Sequence, residues 1–377
     1  LLQRKYTILS KFLTVGVSDT HFGLSVHGHE NPVTGLHTQT EDIFKAYQES
    51  IDYALKNKAS LFIHSGDVFD KKVVNQTVVN QFYKQTKQLT DAGIPVVVLQ
   101  GNHDASQYIQ IKNGLDIAGT IGVDNFYVTR GGGIIDLDFV QIVTVSYWNG
   151  PEEVAEELNK YAKQVDWTRP AILVVHLQIE YADFPGAFMA DLEFIPLAAL
   201  TSHPWSFIQA GHIHKHQKLN VEPPAYYVGS LTRCNFAEEK DPKGFIAYEI
   251  SGTKLSNIKF IEVDCRKYLT FKGTMSDLKS HMENSSFDFS KYIIKLIIDD
   301  ANEPIDDAFI KEKFASAYKV IIQKDARRTT LTKIDALAGI GLEDYLNKYF
   351  EKDEEKIELL SLVKELRQLD EVKAVER

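Results

Sequence analysis

Apolar runs and apolar stripes alternate along the first two-thirds of the chain, the pattern of an α/β layered domain. Phe12–Val17 reads as a buried strand. After a polar loop, Ile43, Phe44, Tyr47, Ile51 and Leu55 recur at helical spacing behind a Thr40 cap, with Glu41 and Asp42 in the first turn. The same reading gives a strand at Leu61–His64, a helix over Val74–Asp91 stopped by Gly93, and a strand at Pro95–Leu99. One strand near Ile134–Val145, a helix near Glu152–Lys163 and strands at Ala171–Val175 and Phe207–Gln209 follow. Hairpin-like β segments occupy Ala225–Val228, Gly244–Ile250 and Lys259–Val263.

A smaller β-α-β-α-β pattern begins at Tyr268, with helices at Met275–Met282 and Ile305–Tyr318 and strands at Tyr292–Ile298 and Val320–Gln323. The expected domains are therefore 1–264, 265–333 and a charged helical segment, 334–377. In that last segment Ile357, Leu360, Val363, Leu366 and Leu369 recur every three residues. Such a stripe must be buried, against the protein's own core or in a partner's groove.

Composition narrows the class. With 377 residues, 44% hydrophobic and 25% charged, the chain is an ordinary globular protein long enough for a large domain with appendages. Two cysteines, Cys234 and Cys265, form no disulfide framework, which points to a reducing, intracellular setting, cytoplasmic or nucleoid-associated, or host cytoplasm for a viral source. No apolar run is long enough for a membrane span. A net charge of -10 excludes attraction to nucleic acid over the whole surface, so any such contact is local. Lys311, Lys313, Lys319, Lys324, Arg327, Arg328 and Lys333 form a basic run interrupted by Glu312 and Asp325 alone. Lys324, Arg327 and Arg328 are the candidate phosphate contacts, against the plainer reading of a solvated face.

Five motifs stand at or just after strand C-termini, where α/β sheets build their sites. They are Asp19-Thr20-His21, Gly66-Asp67, Gly101-Asn102-His103-Asp104, His176 and Gly211-His212-Ile213-His214. Singly each is weak; together they imply one ligand cage. Asp67 is the expected bridging carboxylate between two divalent ions. Asp19, His21 and His214 complete one ion's set, and Asn102, His176 and His212 the other's. Oxygen and imidazole donors without thiolate suit Mn²⁺, Mg²⁺, Fe or Zn. Gly66, Gly101 and Gly211 let the backbone turn sharply. His103 is the candidate proton donor to a leaving oxygen. Asp70 either accepts a hydrogen bond from His103 or caps the following helix. His27, His29 and His37 read as loop histidines, His64 as a packed core residue, and His203 and His216 as surface groups.

In this order the motifs resemble the calcineurin-type metallophosphoesterase superfamily. Within it the chain is similar to the SbcD and Mre-eleven nucleases. That likeness is carried by Gly211-His-Ile-His-Lys215, by Tyr227-Val-Gly-Ser230 with Arg233 and Phe236, and by Lys243-Gly244-Phe245. The resemblance implies a four-layer β-sandwich flanked by helices, with a small α+β capping domain and C-terminal helices. It also implies manganese-dependent exonuclease and endonuclease activity on DNA, a homodimer through catalytic-domain helices, and a coiled-coil ATPase partner of the SbcC or Rad-fifty type. Two departures stand out: Asp70 replaces a histidine found in some members, and Val228 a common proline. The rival readings are a phosphomonoesterase or cyclic-nucleotide phosphodiesterase with the same cage, and a scaffold that has lost catalysis.

Overall fold

The structure, a computed structural model, describes residues 11–105, 111–146, 151–183, 194–283, 285, 287–299 and 304–324. In chain order come β1 (Lys11–Val17), α1 (Thr38–Lys56), β2 (Leu61–His64), α2 (Gln76–Asp91), β3 (Val96–Leu99), α3 (Asp116–Ile121) and β4 (Phe126–Thr129). The hairpin β5 (Gly132–Leu137) and β6 (Val140–Ser146) is followed by α4 (Pro151–Ala162), β7 (Ala171–His176), α5 (Leu197–Thr201) and β8 (Phe207–Gly211). Then come β9 (Gln217–Leu219), β10 (Ala225–Tyr227), a 3₁₀ turn (Phe236–Glu238), β11 (Gly244–Ser251) and β12 (Lys254–Glu262). β13 (Lys267–Gly273), α6 (Met275–Met282), β14 (Tyr292–Ile298), α7 (Asp307–Lys313) and β15 (Lys319–Lys324) complete the order.

Two six-stranded sheets run β12-β11-β1-β2-β3-β4 and β5-β6-β7-β8-β10-β9. Their centres, β1-β2-β3-β4 and β6-β7-β8-β10, are parallel. Parallel strands covered on both faces should be apolar throughout, and β2, β3, β7 and β8 are buried at every position. Alternation decides which layer each side chain meets. Val15, Val17, Phe62, Val96 and Val98 pack with α1 and α2. Leu61, Ile63, Val97 and Leu99 instead face Ile142, Ile172, Val174 and Phe207 of the other sheet. Val143, Val145, Leu173 and Val175 turn outward to Val154 and Leu158 of α4 and Leu200 of α5. The result is helix–sheet–sheet–helix, the four layers that the resemblance implies.

Differences from the sequence reading are local. The single strand expected near Ile134–Val145 is a hairpin, its turn formed at Asp138 and Phe139 without the glycine that usually marks one. α1 starts two residues before Thr40, with His37 at its N-cap accepting from Gln39 N–H. The N-cap of α2 is Asn75, so Asp70 does not cap it.

By compactness the described residues divide in two, the second unit drawing on those within 271–285, 296–315 and 322–324. Within that unit Met275, Leu278 and Met282 of α6 are buried, as are Leu296, Ile298, Ile310 and Phe314. α6 opens with a reciprocal cap in which Thr274 and Asp277 satisfy each other's main-chain N–H. α6 and β14 have the expected bounds, whereas the expected helix over Ile305–Tyr318 is confined to Asp307–Lys313. β13, β14 and β15 form a third sheet in the order β13-β14-β15. No helix among the described residues is long and apolar enough to cross a membrane. The apolar stripe between Ile357 and Leu369 lies outside the described residues, as do Arg327 and Arg328.

Candidate metal centre

The five motif segments leave the C-terminal ends of β1, β2, β3, β7 and β8. Four candidate ligands have left-handed backbone: Asp19 (φ 49°), His21 (φ 48°), Asp67 (φ 52°) and His212 (φ 93°). Each costs of order 1–3 kcal/mol in a non-glycine residue, and such strain persists only where the surroundings enforce it. Here main-chain bonds lace the first two loops together: Asp19 N–H to Gly66 O (3.0 Å), His21 N–H to Asp67 O (3.1 Å) and Phe22 N–H to Val68 O (2.8 Å). Thr20 adds a staple, its hydroxyl donating to Val68 O (2.9 Å) and meeting the buried His64 ring (3.0 Å). His64 is thus the packed core residue that its apolar strand suggested.

Asp104, the last residue of the third motif, is a structural anchor. Its buried carboxylate accepts from Val68 N–H (3.1 Å), Phe69 N–H (2.8 Å) and Gly101 N–H (2.9 Å), joining the second and third loops. Burial and the nearby Asp67 charge push it up to about 7 against those three bonds. Of the three motif glycines, Gly66 alone turns through positive φ (102°). Gly101 and Gly211 serve close approach instead, since a Cβ would overlap Asp67 at the first and Ser18 and Ser65 at the second.

Asp67 lies at the centre. Its Oδ2 is 3.2 Å from His176 Nε2 and 3.9 Å from His21 Nε2, and its Oδ1 accepts from His103 N–H at 2.9 Å. Asn102 Oδ1 is 3.1 Å from both His176 Nε2 and His212 Nδ1. His21 Nε2 lies 3.0 Å from His214 Nε2. Asp19 accepts His212 N–H at 3.0 and 3.2 Å. Among the described residues three donor groups result: Asp67, His176 and His212; His21, Asp67 and His103; and His21, His214 and Cys234, each with ligand atoms within 4.8 Å.

The chemistry of this donor set fits divalent cations. His176 Nδ1 is 2.8 Å from Ser65 O, so it carries the proton and Nε2 is left as a lone pair facing the Asp67 and Asn102 oxygens. His214 repeats the arrangement, Nδ1 donating to Glu238 Oε1 at 2.9 Å and Nε2 facing His21. Electron pairs converging on electron pairs need a proton or a metal between them. Protons alone give the following state. Burial disfavours a charged His176, but the Asp67 charge and hydrogen bond, with Asp19, outweigh it and push the imidazole up to about 9. Asp67 is held far below the carboxylate range despite its burial, chiefly by His176. His212 falls to about 3 through burial and the neighbouring His176, and burial with His214 drives His21 well down. Burial raises Asp19.

His103 and Asp70 adjoin this group in a way the sequence did not anticipate. The exposed His103 ring stands edge-on to His21, and Nδ1 donates to the main-chain carbonyl of Asp70 at 2.7 Å. The Asp70 carboxylate lies instead 3.8 Å from His21 Nδ1, so its expected bond to His103 is not made.

Two buried residues behind His214 were given no role in the centre by the sequence reading, although Lys243 stands in a segment that carries the family likeness. Glu238, on the 3₁₀ turn, holds His214 with one oxygen and Lys243 Nζ with the other at 2.6 Å. Lys243 also donates to His214 O and Ser230 Oγ, both at 2.9 Å. Although burial opposes it, His214 and Lys243 hold Glu238 well below its ordinary range. His214 is raised against its burial by Cys234 and Glu238. Elsewhere His27 packs edge-on against Phe236 and Tyr268. His216 is no surface group: its ring stacks on Phe260 and bonds Tyr227 O. Lys324 ends β15.

The family profile for calcineurin-like phosphoesterases matches residues 13–216, which is more than half of the chain. The DNA double-strand break repair protein Mre11 of Thermoplasma acidophilum is 26% identical over 261 residues, covering 66% of this chain and 63% of that protein. Its namesake from Sulfolobus acidocaldarius is 24% identical over 280 residues, covering 71% and 68%. The one from Aeropyrum pernix is 23% identical over 252 residues, covering 63% and 57%. The chain thus aligns with about three-fifths of the Thermoplasma and Aeropyrum proteins.

Proposed function

Because the chain belongs to the calcineurin-like phosphoesterase family, we propose that it is a DNA nuclease that processes ends in double-strand-break repair, cleaving phosphodiesters with two divalent ions. The observation that carries this is the shared Asp67, a member of two donor groups at once. In this reading Asp67 would be shared by the two ions; Asp19, His21 and His214 would help hold one, and Asn102, His176 and His212 the other. Manganese is the proposed ion and magnesium its substitute. When bound, the pair supplies Lewis acidity toward the phosphoryl group and activates water near neutral pH.

The chain's own residues do the rest. Ser65 O and Glu238 fix which nitrogen of His176 and of His214 faces the centre. The Asp70 carbonyl fixes the His103 ring through Nδ1–H, so the ring acts in its imidazolium form, passing the Nε2 proton to the leaving oxygen and remaining as the neutral Nδ1–H tautomer.

The substrate class is supported by the break-repair proteins the chain is similar to. Lys324, Arg327 and Arg328 are the proposed backbone contacts of a capping segment over residues 265–333. The apolar stripe of residues 334–377 is assigned to docking on a coiled-coil ATPase of the SbcC or Rad-fifty type. A homodimer is proposed through α2 and α3. That face carries a groove of about 760 Å³ lined by Val79, Tyr83, Ile117, Ile121 and Phe126, with Ile121 68% exposed.

The test compares manganese-dependent release of nucleotides from end-labelled duplex DNA with turnover of a small aryl phosphate. Release from DNA is the expected result. Turnover of the aryl phosphate with intact DNA would replace the nuclease by a phosphomonoesterase.

A further inference from the structure

The His21 and His214 rings share their surroundings with a donor that the two-ion reading leaves unused. Cys234 joins these imidazoles in a group whose ligand atoms all lie within 4.8 Å of one another. Its position is held by the same carboxylate that orients His214: Glu238 Oε2 accepts Cys234 N–H at 3.1 Å, while Oε1 takes His214 Nδ1 at 2.9 Å. The thiol itself makes a weak contact, Sγ to Thr232 O at 4.0 Å. His21 is 3% exposed, and its Nδ1 has no hydrogen-bond partner. Two imidazoles and a thiol are therefore gathered in one place, with the thiol also bonded to His214.

We propose that His21, His214 and Cys234 form a thiolate-containing site for Zn²⁺ and similarly thiophilic divalent ions. The inference rests on reading His21 and His214 as ligands, and adds a third ligand and a selectivity. Around a tetrahedral Zn²⁺, with Zn–N near 2.0–2.1 Å and Zn–S near 2.3 Å, ligand atoms stand roughly 3.3–3.6 Å apart. The ligand atoms, within 4.8 Å of one another, would have to draw together by about an ångström to reach that size. On binding, the Sγ–H proton passes to solvent as the metal–sulfur bond forms, with no change of oxidation state. Hard ions such as Mn²⁺ and Mg²⁺ gain little from sulfur, so they leave Cys234 aside. A zinc ion held by two imidazoles and a thiolate would draw His21 and His214 away from the set they complete with Asp19 in the two-ion reading.

Cobalt reports the sulfur directly, because Co²⁺ takes zinc's ligands and shows a near-ultraviolet thiolate-to-metal charge-transfer band. The full chain, Cys234→Ser and Cys265→Ser are titrated with Co²⁺, and Mn²⁺ stoichiometry is measured in parallel. The band is expected in the wild type and in Cys265→Ser and absent from Cys234→Ser. Zn²⁺ affinity, from competition with a chelating dye, should fall at least about tenfold in Cys234→Ser, as even an outer ligand partner costs that much. A wild type without the band, or a band that survives Cys234→Ser, overturns the proposal. The Mn²⁺ count separately decides the two-ion reading, since the band depends on sulfur and the count does not.

Discussion

His176 and His214 face the same centre but are held by different means. His176 is the last residue of the central strand β7, fully buried, its ring fixed by the Ser65 main-chain carbonyl at the end of β2. Its orientation follows once the two sheets close. His214 lies beyond the end of β8 and is fixed by the side chain of Glu238, which is paired with the buried Lys243. That half of the centre depends on a charge pair contributed by a later, polar stretch of chain. The contrast implies that one half tolerates point substitution in its support and the other does not. It also implies that the second half can be tuned, or captured by a different metal, without disturbing the first.

The largest expected effect removes the distinction altogether. Asp67→Ala takes the shared carboxylate from both halves, so bound Mn²⁺ should fall below about one ion per chain by elemental analysis, with cleavage lost by more than about 10⁴-fold. A variant that still holds two ions would show that the halves do not share it. His103→Ala comes next: kcat for DNA cleavage should drop by about 10²–10⁴-fold with the metal count unchanged, as for loss of a general acid. Unaltered kcat would remove His103 from the chemistry.

Glu238→Gln separates the halves. Metal affinity should weaken by about 10–100-fold in one of two phases of an Mn²⁺ titration and stay constant in the other. The same change strands Lys243 without its counter-charge, so stability should fall by about 3–5 kcal/mol in chemical denaturation and recover in part with Lys243→Met. Equal weakening of both phases would mean that the halves are not independently supported.

The smallest effect is in pH dependence, where each half has its own limb. In the metal-free protein His176 is raised from 6.5 to about 9, so its contribution is complete below about 6.5 and is lost as pH rises through about 9. Glu238 is depressed, so its contribution is present above the ordinary carboxylate range and is lost as pH falls below it. Saturating Mn²⁺ should abolish the alkaline limb of a Tm–pH profile, because the ion replaces the His176 proton. An alkaline limb unchanged by Mn²⁺ would place that proton elsewhere.

The same contrast explains what could be read from the sequence. His176, Asp67 and His212 each follow a short apolar run, and a buried parallel strand announces its own C-terminal end, so the α/β layering and the gathering of these side chains were legible, while the count of four layers came from the resemblance. Glu238 follows no such run; it sits in the polar stretch Asn235–Asp241, and its importance arises from the chain returning to His214 across 24 positions. Asp104 was read as part of a motif, but its work is to accept three main-chain N–H groups, which no side-chain pattern reveals. The β5–β6 turn was missed because Asp138 and Phe139 come without the glycine that usually marks a two-residue hairpin turn, and apolar positions continue on both sides of it. Cys234 was set aside with the thiolates because spacing along the chain said nothing of its approach to His21 and His214.

Anomalous diffraction at the manganese edge from crystals soaked in Mn²⁺ tests the central claim most directly. Two peaks roughly 3.5–4 Å apart, both touching the Asp67 carboxylate, are predicted. A single peak, or a pair that Asp67 does not join, would contradict the account.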